Sequence, residues 1–458
     1  MIVRLAVRSL AVRPIRTAVL ACGFGLGIAV MAALLGVGDV ILEQARSPEL
    51  QGGGDVLVYS TFGMIENAPF VLNNVRTLAP AASPSHRQAV YLMTGAGAIP
   101  VIARGGVPSL EKAIGDAEVK DIAAWADTAA DERWKTVDPA AQLRAFDRFH
   151  QQPDVPEFAS SWAEWLYFNG RTSDGRVRFY LTFIVGPATS PGSRSAGVRL
   201  QLDREGTSTS YVAPATVDER AVVDKAPDLD IGHSSVRLEG SRYRISLRLP
   251  GVTGDLVLDP DPGRSLPPAV LRGARGWLSG YVVPVLSGKL SGSLDIAGAG
   301  QGERLDFAGA TGYHDHNWGF WRDVRWQWGQ VAGPDLSFIY GRVFPPADVA
   351  AADRLPGFLG ILDRTGLVGI ATNVVIDEHR PAADAKAAPA SIEVTARAAN
   401  VDLRLSFATD RIVRTAMAMT GGANDFLQMG GTYRVTGTAA GRTVDFTARG
   451  AAETFQPR

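Results

Sequence analysis

The sequence predicts an all-β fold class: two tandem antiparallel β-barrels preceded by one transmembrane helix and a partly helical connector. Three observations carry this expectation. Residues 17–38 hold no charged side chain, which is long enough to cross a hydrocarbon core that needs about 20 apolar residues. Beyond Ser161 apolar side chains recur with period two, as in Val177, Phe179, Leu181 and Phe183, in Tyr243, Ile245, Leu247 and Leu249, and in Val401, Leu403, Leu405 and Phe407. That is the pattern of half-buried strands. Turn-forming breaks such as Ser173-Asp174-Gly175, Asp261-Pro262-Gly263 and Ala439-Ala440-Gly441 separate the runs without a long helix between them, which argues against a parallel α/β fold.

The elements follow in order. Arg4, Arg8, Arg13 and Arg16 form a basic segment over 1–16, whereas Asp39 and Glu43 follow the apolar run. The positive-inside rule therefore expects a cytoplasmic N-terminus and an extracytoplasmic, periplasmic remainder, held at a bacterial inner membrane by the single span 17–38. The run is longer than a signal-peptide core and ends in no clean small-x-small site, so retention is expected over cleavage. Cys22 is the only cysteine. It lies inside the run rather than after it, which argues against lipidation, and a lone cysteine precludes an intramolecular disulfide. Gly23 and Gly27 have the spacing that lets two helices approach, although glycine is common in spans.

Residues 39–153 read as a connector with short helices rather than a β domain. Asp138 before Pro139 is a capping side chain ahead of a proline at the first helical position, and Leu143, Phe146 and Phe149 then recur every third residue. Pro108–Ile114 carries a weaker version of the same signal. The roughly 300 residues that follow exceed what one small barrel of about eight strands uses. Two barrels, 154–302 and 303–458, fit better, with the boundary placed within the Gly- and Pro-rich stretch before the signature described below. The Ala-rich tract Pro381–Ala390 reads as a solvated loop. A net charge of −1 and a pI near 6.6 leave no electrostatic footprint for nucleic acid.

The richest segment is Gly312–Trp328, GYHDHNWGFWRDVRWQW, which gathers two of the six histidines and four of the nine tryptophans. Together with SSWAEWLYFNG at Ser160–Gly170 and the strand RVRFYLTFIVG after it, it resembles the carotenoid 1,2-hydratase (hydroxyneurosporene synthase) and AttH-like family, which implies two lipocalin-like barrels. The N-terminal pattern RLAVRSLAVRPIRTAVLACGFGLGIAVMAALLGVGD is similar to the first transmembrane helix of FtsX-like and MacB-like ABC transporter permeases. That similarity implies ABC transporter subunits as partners, although one span cannot make a permease.

On a strand over Gly312–Trp318, His314, His316 and Trp318 share one face while Tyr313, Asp315 and Asn317 share the other. Which face looks into a barrel is left open by the pattern. Protonating a carbon of an isolated alkene needs an acid in an apolar site, and desolvation keeps a buried carboxyl protonated. Asp315 is the first candidate, His314 and His316 are candidates to position or deprotonate water, and Trp318, Trp321, Trp326, Trp328 and Tyr340 could stabilise a cation. Acid, histidine and aromatic roles of this kind are also what the resemblance implies for the family's hydratases. Asn317, Tyr313, Glu164, Trp165 and Tyr167 complete the ligand-binding candidates. For Glu164, a strand-end partnership with a nearby arginine competes with a place in a cavity.

A structural reading competes throughout, in which the tryptophans plug a barrel and the polar groups only satisfy backbone. A third reading takes His314 and His316 as a metal pair. With no cysteine partner and the other histidines scattered at His86, His150, His233 and His379, neither a metal nor a cofactor is expected. Two functions are therefore expected: an extracytoplasmic binding module for an apolar lipid or isoprenoid, or a hydratase-type lyase adding water to a C=C bond.

Overall fold

The computed structural model describes residues 68–76 and 79–457 apart from short breaks at 96, 117, 120, 137, 205–206, 262–264, 299–301, 352–354, 365, 382–386 and 420–421, with scattered positions before residue 68. The basic segment 1–16 and the apolar run 17–38 thus lie outside the described residues except for isolated positions. Among the described residues, no helix is long and apolar enough to cross a membrane.

The chain divides into two units, Met1–Val137 and Asp138–Arg458. In the first, the helices Ala68–Arg76 and Pro108–Ala113 flank a fully paired antiparallel hairpin, β1 (Ser85–Thr94) and β2 (Gly97–Gly106). The hairpin adds β structure to a stretch that the sequence reads as a connector with short helices. The hairpin's side chains are largely exposed, so its sequence need not show the period-two burial that marks a half-buried strand. Arg104 ties the hairpin to Glu111, Asp116 and Glu118.

The second unit opens on the helix Pro139–Phe146, begun as expected by Asp138, whose Oδ1 accepts from the Ala140 amide at 2.9 Å. Phe146, Phe149 and the intervening Asp147 are buried. This helix therefore belongs with the barrels rather than with the connector ending at residue 153. Strands β3 (Trp162–Arg171), β4 (Val177–Ser190), β5 (Ser193–Arg204), β6 (Thr207–Asp218), β7 (Leu229–Ile231), β8 (Ser234–Glu239), β9 (Arg242–Leu249), β10 (Val252–Pro260), β11 (Leu266–Arg272), β12 (Leu278–Ile296), β13 (Glu303–Asp306) and β14 (Ala310–Phe320) follow. They form one sheet in the order β6-β5-β4-β3-β14-β12-β10-β9-β8-β7, with β11 and β13 also on β12. Then β15 (Arg325–Ala332), β16 (Ser337–Phe344), β17 (Phe358–Asp363), β18 (Gly366–Ala371), β19 (Asn373–His379), β20 (Ser391–Ala398), β21 (Val401–Met419), β22 (Gly422–Ala439) and β23 (Arg442–Pro457) form a second sheet. Its order is β18-β17-β16-β15-β23-β22-β21-β20-β19. Each sheet curls into a near-closed barrel.

The chain changes sheets between Phe320 and Arg325, because β14 completes the first sheet by pairing with β3 along its whole length. The boundary expected at 302 falls too early. The signature's first half closes barrel one and its second half starts barrel two. The hairpin at Ala439–Gly441 has positive φ at Ala440 (50°) and Gly441 (72°), the backbone that matches the twist of a two-residue β-hairpin turn.

One close approach fixes the signature strand. Gly280 on β12 sits opposite Trp318 on β14, and a Cβ at Gly280 would collide with the Trp318 indole. Gly280→Ala is expected to destabilise the second unit by roughly 2–4 kcal/mol, because the ring is buried and has no free side to move to. Urea unfolding followed by tryptophan fluorescence measures this.

Candidate functional site

Both faces of β14 are buried, which answers the question the sequence left open. Register sets the two faces. Leu200, Leu181, Phe168 and His314 form one row across β5, β4, β3 and β14, and Val198, Phe183, Leu166 and His316 form the next. These point into the first barrel. On the opposite face run Arg199, Thr182, Tyr167 and Asp315, with Gln201, Tyr180, Asn169 and Tyr313 beside them. This outer face meets the second sheet, since Tyr167, Tyr180 and Tyr313 share a buried cluster with Trp328, Ile339 and Leu362.

Inside the first barrel lies an ionic network. His314 Nε2 is 2.6 Å from Asp147 Oδ2, and its Nδ1 is 2.9 Å from the Tyr167 carbonyl. His316 Nε2 is 2.9 Å from Glu164 Oε1, and its Nδ1 is 3.2 Å from Asp147 Oδ1. His150 adds its ring Nδ1 at 2.7 Å from Glu164 Oε1, and its amide donates to the same carboxylate. His150 stacks on Trp318 at 4.2 Å, and His314 on Phe168 at 4.1 Å. Glu164 is thus held by histidines, not by the arginine expected for a strand-end glutamate.

Burial works against charge here, but the hydrogen bonds and charges outweigh it. Despite its desolvation, His316 is pushed up to about 9 by its bonds to Asp147 and Glu164. Despite theirs, Asp147 is held below the usual carboxylate range by His314 and His316, and Glu164 is lowered by His150 and His316. The sign of the linkage follows. A histidine whose folded value exceeds its unfolded one stabilises fully below the unfolded value of about 6.5 and loses that contribution as pH rises through about 9. The loss is on the order of 3 kcal/mol. The two depressed carboxylates contribute above about pH 4–5 and lose it on acidification. Chelator-treated protein should therefore melt progressively lower between pH 7 and pH 9.5, and His316→Gln should flatten that slope.

His150, Glu164 and His316 each offer a ligand atom, all within 4.8 Å of one another, a donor set that fits a zinc-like cation. The same atoms are already bonded to one another, so a cation would have to displace protons from that network.

Between the sheets lies a second polar cluster, this one embedded in aromatic rings. Tyr313 Oη donates to Asp315 Oδ2 at 2.8 Å, and Asn317 Nδ2 donates to Asp315 Oδ1 at 2.8 Å. Tyr281 Oη lies 3.0 Å from Tyr313 Oη and accepts from Trp328 Nε1 at 2.7 Å. The chain thus runs in one direction, from Trp328 through Tyr281 and Tyr313 to Asp315. Tyr167 Oη donates to Glu453 Oε1 at 2.7 Å and accepts from Gln428 Nε2 at 3.0 Å. Burial, then the negative charge of Glu453, hold the Asp315 carboxyl well above its ordinary range, against the bonds from Tyr313 and Asn317. Burial also pushes Glu453 up to about 7, against its bonds to Tyr167 and Gln428. Two carboxyl groups in one apolar site titrate apart from each other.

The sequence-predicted residues therefore separate into three places. His314, His316, Trp318 and Glu164 line the first barrel's interior. Asp315, Tyr313, Asn317, Tyr167, Trp165, Trp326 and Trp328 lie at the contact between barrels, where Trp321 packs on Trp165 at 4.6 Å and Trp326 stacks on Phe455 at 4.1 Å. Tyr340 is inside the second barrel, its hydroxyl 3.0 Å from that of Tyr433. A single pocket combining Asp315 with His314, His316, Trp318 and Tyr340 does not form, because alternate residues of a strand face opposite ways. Sequence reasoning missed Asp147, Tyr281, Gln428 and Glu453. Asp147 and His150 follow directly on the predicted helix, a usable signal. Gln428 and Glu453 sit in unremarkable strand sequence and reach the site only through the pairing of β22 with β23.

No family model matches the chain, and no curated protein matches it. Solved structures do. CghA is 13% identical, with 68% of this chain and 94% of that one covered and a TM-score of 0.48. An AttH-like protein from Nitrosomonas europaea is 16% identical, covering 67% and 96%, with a TM-score of 0.43. Kievitone hydratase from Nectria haematococca is 14% identical, covering 65% and 90%, with a TM-score of 0.45.

Proposed function

We propose that the second unit is a hydratase-type lyase that adds water across an isolated C=C bond of an isoprenoid-like substrate, with Asp315 as the general acid. The observation that carries this reading is a carboxyl buried between two barrels, next to a second carboxyl and surrounded by tyrosine and tryptophan rings. The oxygens of Asp315 accept from Tyr313 and Asn317, so neither bond consumes a proton that Asp315 itself carries. In the reaction, the alkene π pair takes that proton onto carbon, leaving the Asp315 carboxylate and a tertiary cation. Faces of Trp165, Trp326 and Trp328 supply cation stabilisation of about 1–2 kcal/mol per well-placed ring. Water adds its lone pair to the cation and gives a proton to Glu453, whose raised value near 7 suits a base at neutral pH. Return of that proton to Asp315 closes the cycle.

The apolar run 17–38 supports placing this unit at the outer surface of an inner membrane, beside the apolar ligands it would act on. The competing reading of a lipid or isoprenoid carrier shares the fold and predicts ligand retention without turnover. The discriminating experiment incubates the full chain with open-chain isoprenoids in ¹⁸O-labelled water and reads products by mass spectrometry. Incorporation of one labelled oxygen supports the lyase. Retained, unchanged substrate supports the carrier and overturns the proposal.

A further inference from the structure

A solvent-open cleft of about 460 Å³ lies at the junction of the two sheets, lined by β5 and β6 on one side and by residues 411–416 of β21 on the other. Three guanidinium groups face it, those of Arg199, Arg411 and Arg414. Arg414 is neutralised by Asp425 at 3.2 Å. Arg199 is held by neutral partners, Gln201 Oε1 at 2.9 Å and Thr415 Oγ1 at 2.7 Å. Among the described residues neither Arg199 nor Arg411 has a carboxylate in ion-pair range. The one acid in the lining, Asp203, is 2% exposed, and burial raises its carboxyl against bonds from Ser208 and Gln201 and the charge of Arg411. Gln201, also 2% exposed, has its Oε1 engaged by Arg199. A partly desolvated guanidinium such as that of Arg199, held only by neutral groups, is costly to maintain unless an anion meets it.

We infer that this cleft binds the oxyanion head, carboxylate or phosphate, of an amphipathic ligand. Guanidiniums match such a group better than any other common donor, and Asp203 can donate to the head when protonated. The register gives the ligand its direction. Arg199 stands at one end of the row Arg199, Thr182, Tyr167, Asp315, and three inter-strand steps separate its ends by about 14 Å. Here the inference rests on the lyase reading above: a head at Arg199 places a chain about 14 Å long with its double bond at Asp315. The head-binding claim itself does not need turnover.

The test compares binding of dodecanoate, dodecyl phosphate and dodecanol to the full chain by calorimetry, at low and high salt. At least one anion should bind tenfold or more tighter than the alcohol, and salt should erode that advantage. The two anionic probes distinguish a carboxylate head from a phosphate head. Arg411→Gln and Arg199→Gln should each remove most of the advantage while leaving dodecanol affinity unchanged, and Asp315→Asn should leave it intact. Equal affinities for anions and alcohol, absence of binding by all three, or an anion preference indifferent to both arginine variants would overturn the inference. Water addition in the labelled-water experiment without an anion preference would leave the lyase standing and the head site refuted.

Discussion

Replacing Asp315 by Asn is expected to lower water addition by a factor of about 10²–10⁴, the usual contribution of a positioned general acid, while the fold is kept. The amide retains an oxygen for Tyr313 or Asn317 to donate to and fills the same volume, but it has no transferable proton. The stability consequence has the opposite sign from an ordinary active-site lesion. A carboxyl whose folded value is raised binds its proton more tightly when native, so it weakens the fold progressively as pH rises above the unfolded value near 4. Asp315→Asn removes that weakening. At pH 7 the variant should unfold at the same or a higher urea midpoint than the parent, with activity lost. A variant that is both inactive and strongly destabilised would point to a structural role instead.

His316→Ala should have the largest effect on stability. It leaves Asp147 and Glu164 facing each other in the interior of the first barrel with their shared cation removed, and breaking a buried ion pair this way costs about 3–5 kcal/mol. His314 and His150 still bond the two carboxylates, so the loss should fall short of unfolding. The double variant His316→Ala, Asp147→Asn should be less destabilised than the sum of the single changes, since the second substitution removes a charge the first has stranded. Urea midpoints across this cycle supply the coupling. If the two changes simply add, the network is not a unit.

Much of this architecture was legible because a half-buried strand writes itself as alternation. The runs at Val177, Tyr243 and Val401 are β4, β9 and β21, and the Asp138-Pro139 signal marks a real helix start. The hairpin at Ser85–Gly106 was not legible, because its exposed strands leave no such pattern. Within Gly312–Trp328, alternation correctly divided the two faces of β14. What one strand could not show is that the second barrel covers the outer face, so that Asp315 and the histidine pair each have a buried environment of their own. Nor could it show Glu453, which reaches Tyr167 only through a contact between residues 286 positions apart.

The central claim is that Asp315 is a protonated acid at neutral pH between the two barrels. Infrared difference spectroscopy of the full chain and of Asp315→Asn, with ¹³C-labelled aspartate, tests it most directly. At pH 7 the parent should show the carbonyl stretch of a protonated, hydrogen-bonded carboxyl, shifted by the label and missing in the variant. If that band is absent, and the variant instead removes the symmetric stretch of a carboxylate, Asp315 is ionised and cannot be the acid.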